Sequence, residues 1–294
     1  MSICAVIVSY RPDAEIIENI SAILEQVGEV VIVDNGSDAA GRDLLGKLSR
    51  HPRLSFIYNE ENRGVAAALN SGVKHAKAAG HHWVATFDQD SRVTPGLIKL
   101  MLQAYDTYPE KEMVASLTPR HQDKVTGKIS GSRLVSPRQE TLPYAESLTV
   151  MTSGNLVRLT VFDVVGYFNE ALFIDHVDTE FCLRCAIHGY KILEVNDAIL
   201  EHRLGSPTTQ HRFLWKEQIT ARNYSVQRGY YSARNGIYVY KKYAFVYPVW
   251  VARDAFAFLK RMIKVMLFEE NRKQKLVATC RGVLHGFSGR LGKL

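Results

Sequence analysis

The order of apolar and polar segments in the first third of the sequence is the feature that most limits the fold. Apolar runs of strand length, at residues 3–8, 30–33, 54–58 and 83–87, alternate with segments whose apolar residues recur at helical spacing. This alternation predicts an α/β fold with a mostly parallel sheet, flanked by helices and joined by right-handed crossovers. In such sheets, ligands bind beyond the carboxyl ends of the strands.

Polar residues directly follow three of these apolar runs. Ser9 follows the first run, Asp34 the second and Asp88 the fourth. Because the carboxyl ends of parallel strands share one edge of the sheet, we expect these side chains to meet, although they lie far apart in the sequence. The polar, turn-rich residues 119–147 indicate a hairpin or an excursion of the chain over this site.

The segment Asp88-Gln89-Asp90 has the residue types of a site for a divalent cation. In an extended chain, residues two apart point the same way, so both carboxylates can face one ion. Oxygen ligands suit Mg²⁺ or Mn²⁺, which commonly bridge to phosphate oxygens. The alternative is that Asp90 only caps the helix that we expect to begin at Thr94 and Pro95.

Composition is that of an ordinary globular protein, but charge divides the chain. Of the 294 residues, 46% are hydrophobic and 23% are charged, and the four cysteines are too few for a disulfide framework. Residues 1–200 hold 19 basic and 25 acidic residues (net −6), and residues 201–294 hold 18 and five (net +13). Such asymmetry indicates contact with nucleic acid or with an anionic membrane surface.

We expect two regions, a catalytic domain over residues 1–210 and a basic, aromatic-rich helical region over residues 211–294. Three helices are expected in the second region, over residues 213–242, 244–268 and 271–286. Residues 243–264 mix apolar and aromatic side chains with Lys and Arg, which is typical of interfacial helices. The alternative is a helix packed on the catalytic domain with its cations in water.

Neither a membrane span nor a secretory signal is predicted. No run of 18 apolar residues occurs, and the first nine residues are typical of a strand. We therefore expect a cytoplasmic protein that associates peripherally with the inner face of the cell membrane.

Four segments, in order and in spacing, resemble the family 2 glycosyltransferases of GT-A fold. They are VIVSY at 6–10, VIVDNGS at 31–37, NRGVAAALN at 62–70 and DQD at 88–90. A fifth segment, LFIDHVDTEFCLR at 172–184, is similar to the family's second acidic motif, in the form closest to rhamnosyltransferases that use dTDP-L-rhamnose. The resemblance covers residues 1–240 and implies inverting, metal-dependent transfer of a sugar to a hydroxyl of a glycan acceptor.

The resemblance implies that the first two segments form the nucleobase pocket. Ser9, Tyr10 and Arg11 would line it. Asp34 would accept the N–H of the base, with Asn35 beside it, because a carboxylate suits a pyrimidine imide. The alternative for the segment that begins at Asp34 is a plain turn.

The third and fourth segments would hold the phosphates and the metal ion. By resemblance, Asn62, Arg63 and Gly64 would approach the nucleotide, and a helix N-terminus near Gly64 would favour an anionic phosphate. Asp88 would bind the ribose or support the metal, and Asp90 would be the direct metal ligand. Arg63 could instead be a solvated surface charge.

Further positions are assigned to the donor site by the same resemblance. Gln89, Ser153 and Gly154 would contact the nucleotide, and the last two follow an apolar run at 148–151 that we expect to be a strand. A histidine at the place of His202 reaches the metal or the diphosphate in the resembling enzymes, and imidazole is an acceptable ligand for Mn²⁺. A structural role for this histidine stays open.

The second acidic motif supplies the candidate catalytic base, Asp178. Inverting transfer needs one carboxylate that takes the proton of the acceptor hydroxyl as the oxygen attacks the anomeric carbon. Asp175 and Glu180 compete for this role, and Glu180 would hydrogen-bond a sugar hydroxyl. The alternative is an acidic cluster that only complements the dipole of the next helix.

A last segment, RGYYSARN at 228–235, resembles a stretch of rhamnosyltransferases. Arg228, Tyr231 and Arg234 would then bind substrate. A guanidinium at Arg234 suits the diphosphate of the donor or of a lipid-linked acceptor. The alternative is a basic helical face.

Other classes fit less well. A nucleic-acid-binding protein would suit the basic region, but no helix-turn-helix, zinc-finger or RNA-binding motif occurs. A nicotinamide oxidoreductase would need a G-x-G-x-x-G motif after the first strand. We expect a nucleotide-sugar donor, a lipid-linked glycan acceptor used in O-antigen-like polysaccharide synthesis, an anionic membrane surface and no nucleic acid. A UDP-sugar (galactofuranose, glucose or an N-acetylhexosamine) is the alternative donor, and the oligomeric state is not predicted.

Overall fold

The structure is a computed structural model that describes residues 1–124, 127–130, 142–202, 209–213, 217–221 and 223–294. It divides into two compact units. Unit 1 comprises Met1–Glu170 and Val177–Arg203, and unit 2 comprises Ala171–His176 and Leu204–Leu294. Unit 2 thus takes a short segment from within the sequence of unit 1. The domain boundary expected at residue 210 stays a prediction.

The described residues of unit 1 form a ten-stranded sheet flanked by helices. Its strands are β1 (Ile3–Ser9), β2 (Glu29–Asp34), β3 (Leu54–Tyr58), β4 (Trp83–Asp88), β5 (Arg92–Val93), β6 (Val114–Asp123), β7 (Ile129–Ser130), β8 (Tyr144–Ser147), β9 (Asn155–Arg158) and β10 (Lys191–His202). Its helices are α1 (Glu15–Leu24), α2 (Ala39–Gly46), α3 (Val65–Ala78), α4 (Leu97–Thr107), α5 (Val161–Val165) and α6 (Val177–Ile187). The strand order is β3-β2-β1-β4-β9-β6-β10-β5, with β7 beside β6 and β8 beside β10.

The predicted parallel arrangement is confirmed for β3, β2, β1 and β4. Strand β9 runs antiparallel to both β4 and β6, so the whole sheet is mixed. In the parallel part, Ser9 is in register with Asp34, and Val8 with Asp88. The predicted meeting of polar residues at one edge of the sheet is therefore confirmed.

Close packing of α3 on the sheet depends on a glycine. A Cβ atom at Gly72 would lie 2.3 Å from Val6 Cγ1, which is far inside van der Waals contact. On β1, Ala5 and Ile7 belong to a continuous apolar core that also takes in side chains of α1 and α4. Because these strands are buried along almost their whole length, their polar last residues mark the edge where the core ends.

Two local expectations are wrong. Helix α4 begins at Leu97, and Thr94 does not cap it, because the Thr94 hydroxyl donates to the carbonyl of Ile199 at 2.7 Å. Residues 148–151 form no strand, since β8 ends before them and β9 begins only after Gly154. Gly154 turns the chain with a φ of +82°. Its N–H donates to a carbonyl of β4, which brings the loop against the end of that strand.

The polar segment 119–147 is described only in part. Strands β6 and β7 pair antiparallel within it, as a hairpin requires. Residues 125 and 126, and residues 131–141, lie outside the described residues. The expected excursion over the site therefore stays a prediction.

The described residues of unit 2 form three helices and two strands that pair antiparallel. They are α7 (Val226–Tyr243), α8 (Pro248–Phe268), α9 (Arg272–Ser288), β11 (Thr209–Phe213) and β12 (Glu217–Ala221). The helix expected over 213–242 begins only at Val226, because the Ser225 hydroxyl caps it by accepting the N–H of Arg228 at 3.2 Å. The other two helices are confirmed to within a few residues at their ends.

Helices α7 and α9 approach each other at two glycines. A Cβ atom would lie 2.4 Å from the carbonyl oxygen of Tyr230 if placed at Gly282, and 2.6 Å from that of Arg234 if placed at Gly286. Only glycine allows such a close approach of two backbones. None of the described helices combines the length and the apolar character that crossing a membrane would require.

Candidate active site

A buried carboxylate lies at the carboxyl end of β2. Asp34 is fully buried, and both of its carboxylate oxygens accept from the N–H of Ser37 at 3.3 Å. Arg42 Nε lies 3.5 Å from Asp34 Oδ2. Beside it, the buried Ser9 hydroxyl oxygen has no hydrogen-bond partner among the described residues. Burial of a hydroxyl without a hydrogen-bond partner costs free energy, unless a ligand or a water molecule supplies that partner.

Tyr10 and Arg11 form the exposed wall next to this carboxylate. The Tyr10 N–H donates to Gln89 Oε1 at 2.9 Å, and the Arg11 N–H donates to Ser37 Oγ at 2.8 Å. The Arg11 guanidinium lies 5.3 Å from the centre of the Tyr10 ring, and its Nε lies 3.5 Å from a carboxylate oxygen of Asp38. Gln89 therefore holds the backbone of Tyr10, whose side chain is exposed.

Asn35 organises the loop that leads into α3. Its Nδ2 group donates to Asn62 Oδ1 and to the carbonyl of Gly64, each at 3.1 Å. Its Oδ1 atom accepts from Asn59 Nδ2 and from the N–H of Arg63, each at 3.0 Å. Asn35 and Asn62 thus serve as internal supports, whereas the Arg63 side chain is exposed at the surface.

Asp88, Asp90 and His202 form a cluster that could hold a metal ion. Their ligand atoms all lie within 4.8 Å of one another. His202 Nδ1 lies 3.4 Å from Asp90 Oδ1, and His202 Nε2 lies 3.8 Å from Asp88 Oδ2. The imidazole is mostly buried, whereas the side chains of Asp88 and Asp90 are 45% and 37% exposed. Two carboxylates and one imidazole are a donor set that fits a divalent cation.

Ser153 lies beneath this cluster and supports it. Its hydroxyl accepts from the N–H of Asp88 at 3.2 Å and shares a 2.5 Å hydrogen bond with Ser91 Oγ. The carbonyl of Ser153 accepts from His121 Nε2 at 2.9 Å, and burial lowers the pKa of His121 to about 4. A Cβ at Gly154 would lie 2.7 Å from a carbon of the Pro119 ring. Ser153 and Gly154 thus support the end of β4, and their expected contact with the nucleotide stays a prediction.

Asp178, the candidate base, lies in the first turn of α6. Its Oδ2 atom accepts from the N–H of Thr152 at 3.2 Å, and its Oδ1 atom accepts from the N–H of Thr179 at 2.7 Å. The side chain is half-buried. These two amides orient the carboxylate, and the positive end of the helix dipole favours its charge.

Glu180 belongs to a buried ion pair within α6. Its two carboxylate oxygens each accept from Arg184 Nε at 3.1 Å. Arg184 in turn donates to the carbonyl of Tyr167 at 2.8 Å, which ties α6 to the preceding loop. The expected contact of Glu180 with a sugar hydroxyl stays a prediction.

Arg234 is a structural residue of unit 2 in this structure. Its side chain is 1% exposed, and its guanidinium donates to the carbonyls of Gly292, Ala171 and Leu172. Arg234 Nε also donates to Asn235 Oδ1 at 2.9 Å. The guanidinium is thus engaged by these carbonyls, and the expected contact of Arg234 with a diphosphate stays a prediction.

Two other expected substrate contacts lie in unit 2. Tyr231 is buried, stacks on Phe173 with 5.0 Å between ring centres, and accepts the N–H of Leu294 at 2.7 Å. Tyr231 therefore packs within unit 2, and its expected role in substrate binding stays a prediction. Arg228 is half-exposed and pairs with Asp175, whose Oδ1 atom lies 3.2 Å from both Nε and Nη2 of the arginine. Asp175 is thereby engaged by a cation, which leaves Asp178 as the stronger candidate for the base.

Comparison with known protein families identifies the fold and the class of enzyme. Residues 4–166 match the model of glycosyl transferase family 2. The chain belongs to this family. Its first three polar segments and the acidic pair all lie inside the matched range, as the resemblance requires. The protein is therefore a glycosyltransferase.

Curated relatives of this family member agree with that assignment. The chain is 30% identical over 252 residues to the dTDP-rhamnosyl transferase RfbF of Shigella flexneri, covering 82% of this chain and 80% of the relative. It is 26% identical over 183 residues to the poly-beta-1,6-N-acetyl-D-glucosamine synthase of Staphylococcus aureus strain COL. In that case, the chain spans only 43% of the relative's length.

Solved structures with the same fold include glycosyltransferases of GT-A type. One is S. aureus TarS 1–349 in complex with UDP-GlcNAc, with a TM-score of 0.55, 14% identity, and coverage of 98% of this chain and 73% of that one. Another is GalNAc-T7 with UDP, GalNAc and Mn²⁺, with a TM-score of 0.56, 16% identity, and coverage of 68% and 43%. At these identities, the likeness establishes the GT-A fold alone.

Several residues next to the cluster of Asp88, Asp90 and His202 were not predicted from the sequence. Lys124 Nζ donates to the carbonyl of Asp90 at 3.1 Å and also contacts Glu15. Ser91 Oγ lies 3.2 Å from His202 Nδ1. The position of Lys124 just beyond β6 was a usable signal, because β6 ends beside the parallel strand β10 that carries His202.

Proposed function

We propose that the protein transfers L-rhamnose from dTDP-L-rhamnose to a hydroxyl of a glycan acceptor with inversion of configuration. The observation that carries this proposal is the cluster of Asp88, Asp90 and His202 at the sheet edge that also presents Asp34. The choice of donor is supported by the 30% identity to the Shigella dTDP-rhamnosyl transferase, which extends over most of both chains.

The pocket at Asp34 would bind the nucleobase. A carboxylate in this position accepts the imide N–H of thymine or uracil, and its burial makes an incoming hydrogen bond strong. The unpaired Ser9 hydroxyl is available to a second polar atom of the base. The exposed ring of Tyr10 would cover its face.

A divalent cation would be held by Asp88, Asp90 and His202. When bound, Mg²⁺ or Mn²⁺ would stabilise the negative charge of the departing nucleoside diphosphate. The protein itself orients these ligands. The Ser153 hydroxyl accepts from the N–H of Asp88, and the Ser91 hydroxyl is hydrogen-bonded to the imidazole of His202. An imidazole among the ligands suits Mn²⁺ better than Mg²⁺.

Asp178 would act as the general base. The carboxylate would take the proton of the acceptor hydroxyl while that oxygen attacks the anomeric carbon of the sugar. The N–H groups of Thr152 and Thr179 hold it in one orientation. No second carboxyl group is needed as a general acid, because the bound metal ion would stabilise the charge of the leaving diphosphate. Glycosidases differ, since they use a pair of carboxyl groups.

Helix α8 would bring the enzyme to an anionic membrane, where a lipid-linked acceptor is presented. Its exposed large apolar residues are Val249, Phe256, Leu259, Ile263, Met266 and Leu267. Arg253, Lys260 and Lys264 are exposed as well. Asp254, the single acidic residue of this helix, accepts the hydroxyl of Tyr240 at 2.6 Å. An apolar face flanked by cations suits anionic headgroups, and would place the enzyme at the cytoplasmic face of the membrane.

A panel of nucleotide sugars tests the donor. The purified protein is incubated with each sugar and with Mg²⁺ or Mn²⁺, and release of the free nucleotide is measured. We expect release of dTDP from dTDP-L-rhamnose alone, and none after chelation with EDTA. Release from UDP-galactofuranose, UDP-glucose or a UDP-N-acetylhexosamine alone would contradict the rhamnose assignment while leaving the enzyme class intact.

A further inference from the structure

A second group of metal-ligating side chains lies at the opposite end of the parallel strands. Cys4 is near the start of β1, Glu29 begins β2, and His81 follows α3. One ligand atom of each of these three residues lies within 4.8 Å of the other two. The group is separate from the donor site, which is formed by the last residues of the same strands.

Glu29 is the anionic centre of this group. Its Oε1 atom accepts from Ser55 Oγ at 2.7 Å and from His75 Nε2 at 2.8 Å, and its Oε2 atom accepts from His81 Nε2 at 2.9 Å. These three hydrogen bonds hold the carboxylate in a fixed orientation.

The other two side chains are a buried thiol and a largely buried imidazole. His81 is largely buried, and its Nδ1 atom has no hydrogen-bond partner among the described residues. The Cys4 thiol is fully buried, and its hydrogen bond goes to the carbonyl of its own neighbour, Ala5, at 3.6 Å. A soft sulfur, an imidazole nitrogen and a carboxylate oxygen thus lie within 4.8 Å of one another.

We propose that Cys4, Glu29 and His81 bind a Zn²⁺ ion, with His75 orienting the carboxylate from outside. Thiolate and imidazole select Zn²⁺ over the harder Mg²⁺ and Mn²⁺. On binding, the Cys4 thiol loses its proton to solvent and coordinates as a thiolate. The ion would join β1, β2 and the end of α3, so that it stabilises unit 1 and takes no part in the sugar transfer.

Cobalt spectroscopy tests this site, because Co²⁺ replaces Zn²⁺ and a thiolate ligand gives an ultraviolet charge-transfer band. Full-length protein, stripped with EDTA and kept in excess Mg²⁺, is titrated with Co²⁺ and then with Zn²⁺. We expect the band to appear, to be displaced by Zn²⁺, and to be absent in Cys4→Ser. Affinity should fall about 10- to 100-fold in His81→Gln. Cys280→Ser, which removes an exposed thiol, should keep the band.

Melting temperature gives the second readout. Zn²⁺ should raise it in the wild type and in Asp90→Asn, but not in Cys4→Ser or His81→Gln. If Cys4→Ser does not fold, the affinities of His81→Gln and Cys280→Ser for Co²⁺ are compared instead, and they test the site in the same way. Absence of a band in the wild type, a band that survives in folded Cys4→Ser, or equal affinity in His81→Gln and Cys280→Ser would overturn the proposal.

Discussion

The side-chain amide of Asn235 donates to the backbone carbonyl of Asp175 at 2.9 Å. The same Nδ2 atom lies 2.7 Å from the carbonyl oxygens of both Leu172 and Ile174. Positive φ angles occur at three non-glycine residues of this turn, Phe173 (65°), Asp175 (63°) and His176 (60°). Such backbone is strained and persists only when surrounding contacts hold it. Asn235 and Arg234 therefore hold the turn that leads into the helix of the candidate base.

Replacement of Asn235 by alanine should release this turn. Three carbonyls lose one shared donor, and we expect the free energy of unfolding to fall by about 1–3 kcal/mol, as measured by urea denaturation. Asn196→Ala is the matched control, because the Asn196 side chain donates one exposed hydrogen bond, to the carbonyl of Leu142. An equal loss of stability in the two variants would contradict the assigned role.

Replacement of Asp178 by asparagine should reduce turnover without unfolding the protein. Asparagine keeps the shape of the side chain but cannot take a proton, so kcat should fall about 10²- to 10⁴-fold, while KM for the donor changes little. Steady-state kinetics and a melting curve check this. The exposed Asp106→Asn variant should retain normal kcat, and near-normal turnover in folded Asp178→Asn would show that another group is the base.

Replacement of Asp90 by asparagine should weaken binding of the metal. Because Asp90 supplies one of two carboxylates in the cluster, the Mn²⁺ concentration needed for half-maximal activity should rise at least about tenfold, by analogy with losses at other metal sites. The dependence of activity on Mn²⁺ measures this effect. The exposed Asp43→Asn variant is the control, and an unchanged Mn²⁺ requirement in Asp90→Asn would rule out this carboxylate as a ligand.

Glu146 should make stability depend on pH in the acidic range. Partial burial raises the pKa of this carboxyl, but hydrogen bonds from Lys191 and Tyr108 lower it below the ordinary value of 4.5. Its stabilising contribution is therefore present above pH 4.5 and is lost as the pH falls through the lowered pKa.

Comparison of Glu146→Gln with the wild type measures this contribution. The ion pair of Glu146 and Lys191 is partly exposed. The wild type should therefore exceed Glu146→Gln in free energy of unfolding by at most about 1 kcal/mol at pH 7, and this difference should shrink toward pH 3. Glu25→Gln, at an exposed position, should show no such trend. A difference that grows on acidification would have the wrong sign.

Binding of α8 to membranes should depend on salt. Vesicles of phosphatidylglycerol and phosphatidylcholine should retain the protein at low ionic strength and release it as salt rises, because screening weakens attraction between exposed charges. A Lys260→Glu, Lys264→Glu double variant should bind less, and Lys99→Glu, at an exposed lysine of unit 1, should bind normally. Binding is measured by sedimentation of the vesicles. Equal binding by the wild type and both variants would show that α8 is not the membrane contact.

The donor edge could be predicted from the sequence because strand periodicity and parallel pairing leave few choices. Once β1, β2 and β4 are parallel, Ser9, Asp34 and Asp88 must end at the same edge. Glu180 and Arg234 could not be assigned in this way. Charged residues are seldom fully buried. The spacing of Glu180 and Arg184 is that of a helical ion pair, but only tertiary contacts show that Glu180 is buried and that the carbonyl of Leu172 accepts from Arg234.

The turn before α6 was also beyond sequence reasoning. Positive φ angles are usually signalled by glycine, but here they occur at residues such as Phe173 and His176. The partner that stabilises them, Asn235, lies far along the chain. Its neighbour Arg234 resembles a phosphate ligand in sequence but supports the same turn in the fold.

Transfer of labelled sugar tests the central claim most directly. The wild type and Asp178→Asn are incubated with dTDP-L-rhamnose labelled in the sugar, Mn²⁺ and a lipid-linked glycan fraction, and label in the lipid-soluble product is counted. We predict incorporation by the wild type that needs the metal and falls at least about 10²-fold in Asp178→Asn. Incorporation from a UDP-sugar but not from dTDP-L-rhamnose, or equal incorporation by the two proteins, would contradict the account.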